Sequence, residues 1–198
     1  DIQRVFGALA PGEPGAVPFT VLGVPGADSL FAQAVLGLLG LLGGRFDRAA
    51  VFAILRNPLV QATRKCQASQ VAQWEEWAAE LGIFRGFDAA HREAMGDQGP
   101  YVTEAHTFGL AFARLLAGSL ATGEVDLGLG APVPVFRDFA SSESALLAAF
   151  VTIVEALYDD IGGVRKCLDD QGPVAAAGRL LELVWAWCGA LPRDDGWN

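Results

Sequence analysis

Lysine is nearly missing from this chain: among 198 residues only Lys65 and Lys166 occur, and no Gly-Lys dipeptide exists. A nucleotide-phosphate loop of the Walker A kind needs glycine-rich backbone followed by Lys and Ser or Thr, so that motif is excluded. Metal-dependent nuclease chemistry sets converging acids near a lysine, and neither lysine follows an acidic residue by two positions. Histidine is as scarce. His91 and His106 stand apart with no His or Cys at helical ligand spacing, so a zinc site would need ligands from distant positions. The three cysteines, Cys66, Cys167 and Cys188, form no Cys-x-x-Cys pair, which points to a reducing compartment, the cytoplasm, over a disulfide framework. No Gly-x-Ser-x-Gly elbow is present, and the serines gather at expected caps.

Long apolar runs are also missing. The longest uncharged stretch of the first half, residues 29–44, carries four glycines and falls short of a spanning helix. No signal-peptide pattern opens the chain, which begins at Asp1 without Met, and we read it as a piece of a longer protein.

What is present is a folding composition. The hydrophobic fraction is 52% with 12 Phe and 5 Trp, enough for one well-buried core. The net charge of −9 works against general phosphate affinity. The acidic doublets Asp159-Asp160, Asp169-Asp170 and Asp194-Asp195 read as solvated turns or helix ends.

Along the chain, Pro18 to Leu22 favours an extended strand. From Ser29, apolar residues recur at the helical period through Leu42, with Asp28 or Ser29 as N-cap. A second helix follows Asp47 and stops before Pro58, and RNPLVQATRKCQ reads as a basic, irregular connector. Ser69 would cap a third helix that Gly82 ends, and Asp88 would cap a short fourth. Residues 104–120 read as helix, 121–141 as a Gly/Pro-rich loop or hinge, and two further helices close the chain. In the last of these, Val174, Leu181 and Trp185 share the apolar register with Val184 and Cys188. The fold class expected is mainly α with a short N-terminal strand segment.

The segment WEEWAAELGIFRGFDAAHREAMG, 74–96, concentrates aromatics, arginine and histidine. It reads as a structural joint: helix, Gly82 stop, aromatic turn, and a second helix with His91 on a solvated face. An outward Trp77 or Trp187 would favour base stacking over core packing. The candidate contacts for DNA or a partner are Arg56, Arg64 and Lys65 in the connector, and Arg85 in the joint.

The order PFTVLG, GGRFDRAAVFAILRNPLV, WEEWAAELGIFRGFDAAHR, HTFGLAFARLLAG resembles the exodeoxyribonuclease V gamma subunit (RecC) family over most of the chain. There the strand is Pro-aromatic-x-Ile/Val, the turn Ser-Arg-Phe, the joint Gly-Ile-Arg-Trp-Gly, and the later helix opens Thr-Trp. This chain has Phe84-Arg85 for the Arg-Trp pair and Phe108 for the second Trp. The resemblance implies that residues 1–25 end a 2A-like α/β segment. It also implies that 26–198 form a helical domain resembling the 2B domain of UvrD-like helicases. It implies a non-catalytic part of a DNA-repair helicase–nuclease, a scaffold for the DNA channel, with RecB-like and RecD-like subunits and DNA as partners. No cofactor, membrane contact or small-molecule ligand is expected of this piece. The alternatives are the 2B-like domain of an AddB-type helicase–nuclease, or an independent helical binding protein with an apolar pocket.

Overall fold

A computed structural model describes residues 29–99, 102–128, 132–136 and 143–189. The expected strand at 18–22 and the doublet Asp194-Asp195 lie outside the described residues. Among the described residues the chain forms eight helices and one two-stranded ladder, so the mainly α reading holds.

The helices begin where short polar side chains can satisfy unpaired backbone donors. The Ser29 hydroxyl accepts from Ala32 N–H at the start of α1 (Leu30–Gly43). Asp47 holds the N-cap position of α2 (Arg48–Leu55) without a side-chain cap bond. The stretch after it is not an irregular connector: Pro58–Arg64 is a helix, α3. Pro58 ends one helix and starts the next, because its fixed φ and missing N–H suit a first helical position. Asn57 completes the exchange. Its Oδ1 accepts from Leu59 N–H at 2.9 Å, and its Nδ2 donates to Leu30 O at 2.8 Å.

Helix α4 (Ala68–Glu80) starts at a Gln67/Gln70 capping box, two residues before the expected Ser69 cap. It ends at Gly82, with Ile83 N–H on Ala78 O and Gly82 N–H on Ala79 O, the paired bonds of a Schellman stop. Asp88 caps the short α5 (Ala89–Ala94), its Oδ1 accepting from His91 N–H. The next helix, α6 (Phe108–Leu120), starts later than the expected residue 104, because the Thr107 hydroxyl caps it by accepting from Leu110 N–H.

The core sits around α7 (Ser144–Gln171), which packs on α1, α4, α6 and the antiparallel α8 (Pro173–Cys188). At one level Phe150 stacks on Trp74 with centroids 5.4 Å apart and meets Phe112 edge-on, while Trp74 Nε1 donates to Leu146 O. At the other level fully buried Phe46 meets Phe87, Phe108 and Tyr158 edge-on. These rings hold large apolar areas in fixed geometry. The doublet Asp159-Asp160 lies inside α7 instead of at a helix end, where Asp160 accepts from Trp187 Nε1 at 2.9 Å.

That bond helps fix the rotation of α8. The buried face is Ala176, Leu183, Val184, Trp187 and Cys188, whereas Val174, Leu181 and Trp185 are 88%, 60% and 50% exposed. The helix carries two overlapping apolar stripes, and the turn at Gly172 and Pro173 presents the second to α7. Trp77 and Trp187 are both buried, so neither is a stacking platform.

Part of the Gly/Pro-rich 121–141 stretch is ordered against α6. β1 (Glu124–Val125) pairs antiparallel with β2 (Val133–Pro134), with Glu124 opposite Pro134 and Val125 opposite Val133. Phe136 N–H then bonds Arg114 O, and Arg114 Nε donates to Pro134 O at 2.8 Å. The approach is so close that a Cβ on Gly118 would lie 2.3 Å from Phe136 O. Gly118→Ala should therefore destabilise the chain by about 1–3 kcal/mol, as overpacking against backbone does. Gly178→Ala, with open space around it, should be neutral or stabilise by up to about 1 kcal/mol. Urea denaturation of the two variants checks the contrast.

Candidate functional site

The joint after α4 is laced to two other turns. Phe84 N–H bonds His106 O, Arg48 N–H bonds Phe84 O, and Gly86 N–H points at Arg45 O and Phe46 O. Phe108 N–H returns to Gly86 O. Gly86 has φ +81, and a Cβ added to it would stand 2.5 Å from Cγ of the Arg92 stem, so no larger residue fits without displacing that side chain.

Around this lattice three guanidiniums converge on one carboxylate. Asp97 lies 2.9 Å from Arg85, 3.1 Å from Arg92 and 3.5 Å from Arg45. The Arg92 hydrogen bond, with Arg85 and Arg45 behind it, holds the Asp97 carboxyl below its ordinary range. Arg92 also donates to Thr103 O and Ala105 O, which ties the segment before α6 to the joint. Arg85, expected as a contact for DNA or a partner, is drawn into an ion-pair cluster that closes the joint.

His91 is not on a solvated face. It is 7% exposed, edge-on to Phe46 and Tyr158, since α5 is only six residues long and is pressed onto the Phe46 level of the core. Its Nδ1 faces Phe87 N–H at 3.3 Å and its Nε2 faces Arg165 Nη1 at 3.1 Å. Both ring nitrogens face donors, so a neutral ring accepts from one of them only, and an imidazolium would find an acceptor at neither. Burial first, then the Arg165 charge, pushes its pKa down, against a smaller opposing pull from Asp88.

Arg165 is the central residue that no sequence motif marks. From α7 its Nη2 donates to Leu41 O and Gly44 O, each at 2.7 Å, and its Nε to Leu42 O at 3.0 Å. These carbonyls lie at the C-terminus of α1, where a cation is favoured by the helix dipole, and only that of Leu41 also accepts a backbone N–H, from Gly44. A weaker signal exists: Arg165 follows Ile161 by four residues, so it continues the buried stripe Leu157 and Ile161 with a charge.

The other expected contacts gather at α3. Arg56 reaches Phe52 O through Nε and Glu75 at 3.7 Å. The Arg64 guanidinium lies 3.6 Å over the Trp187 ring and 3.7 Å from Asp160, with its buried Nε unpartnered. Lys65 is exposed, holds the left-handed conformation at φ 54, and pairs with no carboxylate among the described residues. The structure therefore sets Arg64 in the last turn of α3 and Lys65 at its C-terminal cap, puts Arg56 at the end of α2, and leaves Arg85 in the Asp97 cluster.

Little covalent chemistry is supported by these groups. Burial raises the Cys66 and Cys188 thiols away from the reactive thiolate. Among the described residues no three His, Cys, Asp or Glu side chains group to hold a metal ion, and no helix is long and apolar enough to cross a membrane. The sequence matches the family model for the RecBCD enzyme subunit RecC fourth domain over residues 28–195. The chain belongs to the RecC family. No curated protein gives a match. The matched span includes the joint, α3 and the Arg165 contact, so all three are parts of a RecC domain and of a piece of a RecBCD subunit.

The buried histidine makes this RecC domain sensitive to acid. Its pKa lies below the unfolded value of 6.5, so the unfolded chain binds the proton more readily. Stability is then flat above that value and falls as pH drops below it. His91→Gln should be less stable than wild type at pH 8, and the gap should narrow between about pH 6.5 and 5. Urea titrations of both proteins across that range measure it.

Proposed function

We propose that this RecC domain is a non-catalytic framework element of a DNA-repair helicase–nuclease, shaping the DNA path and holding partner subunits during double-strand break repair in the cytoplasm. The family match supports membership in the enzyme. The framework role rests on the ionic groups, which are spent on holding helix ends and turns together. In this reading residues 26–198 act as the helical unit, residues 1–25 close a preceding α/β part, and RecB-like and RecD-like subunits and DNA are the neighbours.

The observation that carries the DNA contact is Lys65. A non-glycine residue in the left-handed region costs about 1–2 kcal/mol that glycine would avoid. The position holds a lysine in a chain that has only two, its side chain is exposed, Arg64 precedes it in the last turn of α3, and Arg56 ends the helix before. The Arg56–Glu75 pair is exposed and loose at 3.7 Å, and pairs of that kind are worth little, so a phosphate oxygen can exchange for that carboxylate. Arg85, fixed by Asp97, is a second contact for DNA or a partner.

Replacing Lys65 by Gly separates the two effects. Lys65→Gly should stabilise the fold by about 1 kcal/mol in urea denaturation. In the parent subunit it should weaken DNA binding and lower the slope of log K against log salt by about 1. A stabilised variant that keeps both the affinity and the salt slope of wild type would remove Lys65 from the DNA path and with it the main support for this reading.

A further inference from the structure

Helix α8 has one apolar face in the core and a second in solvent. On the outer face Val174, Gly178, Leu181 and Trp185 follow one another at steps of four, three and four residues, the a/d spacing by which one helix packs along another. Ala177 shares that face, and no polar side chain interrupts it. All five residues are exposed. A surface helix of a soluble domain turns one apolar stripe inward and polar residues outward, so a helix with two such stripes belongs between two layers. The inner layer is α7 with α3 and α1. Among the described residues the outer one has no counterpart.

The shape, charge and size of this seam select what covers it. Gly178 has nothing within 4 Å of where a Cβ would stand, so between Val174 and Leu181 it leaves a hole for a bulky side chain of a facing helix. The positions that flank the seam on α8 are Ala175, Ala177, Glu182 and Val184, and Glu182 carries the one charge among them. Its bond to Arg179 joins side chains that are 66% and 50% exposed, a pair worth little against a competing cation. Farther round, Lys166 and Asp170 of α7 and Arg179 line a groove in alternating sign, which gives the seam a polar border. From Val174 to Trp185 the seam runs about 17 Å. Three large side chains on that length fall short of the roughly 800 Å² that each partner gives to a stable stand-alone interface. A second copy packed antiparallel would also set Glu182 against Glu182. A partner already tied to the subunit elsewhere needs no larger patch, and this chain is a piece of a subunit of a multi-subunit enzyme. We propose that the outer face of α8 is the docking surface for an amphipathic helix of another subunit of that enzyme. The helix carries its own apolar a/d seam, a large side chain over Gly178 and a Lys or Arg opposite Glu182. This rests on the reading above that the domain holds partner subunits, and it names the surface that does so.

Cross-linking in the assembled enzyme tests this. A photo-reactive phenylalanine analogue at position 181 of the parent subunit should capture another subunit, within a segment whose apolar residues recur at steps of three and four. Capture of a second copy, of DNA or of the parent subunit itself would overturn the proposal, and so would no capture at all. The same probe at the exposed positions 36, 120 and 166 separates the two levels of the argument. Capture of another subunit from any of these but not from 181 removes only this docking surface, whereas capture from none of the four removes the partner-holding reading as well. Two substitutions then measure the contact. Leu181→Arg and Gly178→Gln both lie on the exposed face, so the Tm of the parent subunit should stay within about 2 °C of wild type. Its affinity for the remaining subunits should fall about tenfold for Leu181→Arg and about threefold for Gly178→Gln, which fills the hole. Wild-type affinity in both variants would overturn the proposal.

Discussion

The contact on which the rest of this domain depends is the guanidinium of Arg165 at the C-terminus of α1. The carbonyl oxygens of Leu42 and Gly44 would otherwise lack a donor in a partly buried region, and that of Leu41 would keep only the Gly44 N–H. Arg165 serves all three and brings a positive charge to the negative end of the helix dipole. Because its remaining nitrogen meets His91, the same residue fixes the position of α5. One side chain of α7 thus sets where α1 ends, how the 44–47 turn leaves it and where the joint after α4 can pack. No carboxylate pairs with Arg165 among the described residues, so its charge is balanced by backbone dipoles.

From that point the order spreads by backbone bonds. The turn that Arg165 holds through Gly44 offers Arg45 and Phe46 carbonyls to Gly86, and buried Phe46 takes the left-handed conformation at φ 56 so that its ring enters the core. A bulky residue with positive φ is tolerated only where surrounding contacts over-determine it. Four rings around Phe46 provide that determination. The Asp97 cluster then closes the outer side of the joint. The same arginines that could make a basic surface are mostly used as internal fasteners among the described residues. Among the described residues the two lysines, Lys65 and Lys166, stand outside these ion pairs, and Lys65 gives the end of α3 its interest.

Much of the architecture was legible in the chain. Ser29, Asp47, Asp88 and Gly82 mark helix ends in the sequence and mark them in the fold. The joint at 74–96 is a helix, a stop, a turn and a second helix, as its glycines and Asp88 imply. Less of the candidate site could be read. RNPLVQATRKCQ hides a helix because Pro58 is a beginning as well as an end. His91 looks solvated in the sequence because a six-residue helix has too few positions for its apolar face to declare itself. The partners of Arg85 and Arg64 lie 12 and 96 positions further along, outside any local pattern.

By itself the sequence determined the mainly helical class, the capped boundaries and the lack of nucleotide-loop and metal-ligand patterns, because these depend on residues within one or two turns of each other. Only the tertiary structure decided which of two apolar stripes on α8 is buried, that Arg165 serves α1 and that Asp97 gathers three arginines. Those choices compare contacts between distant segments, and a side chain's partner in a packed core is set by the geometry of the whole arrangement, not by the period of its own helix.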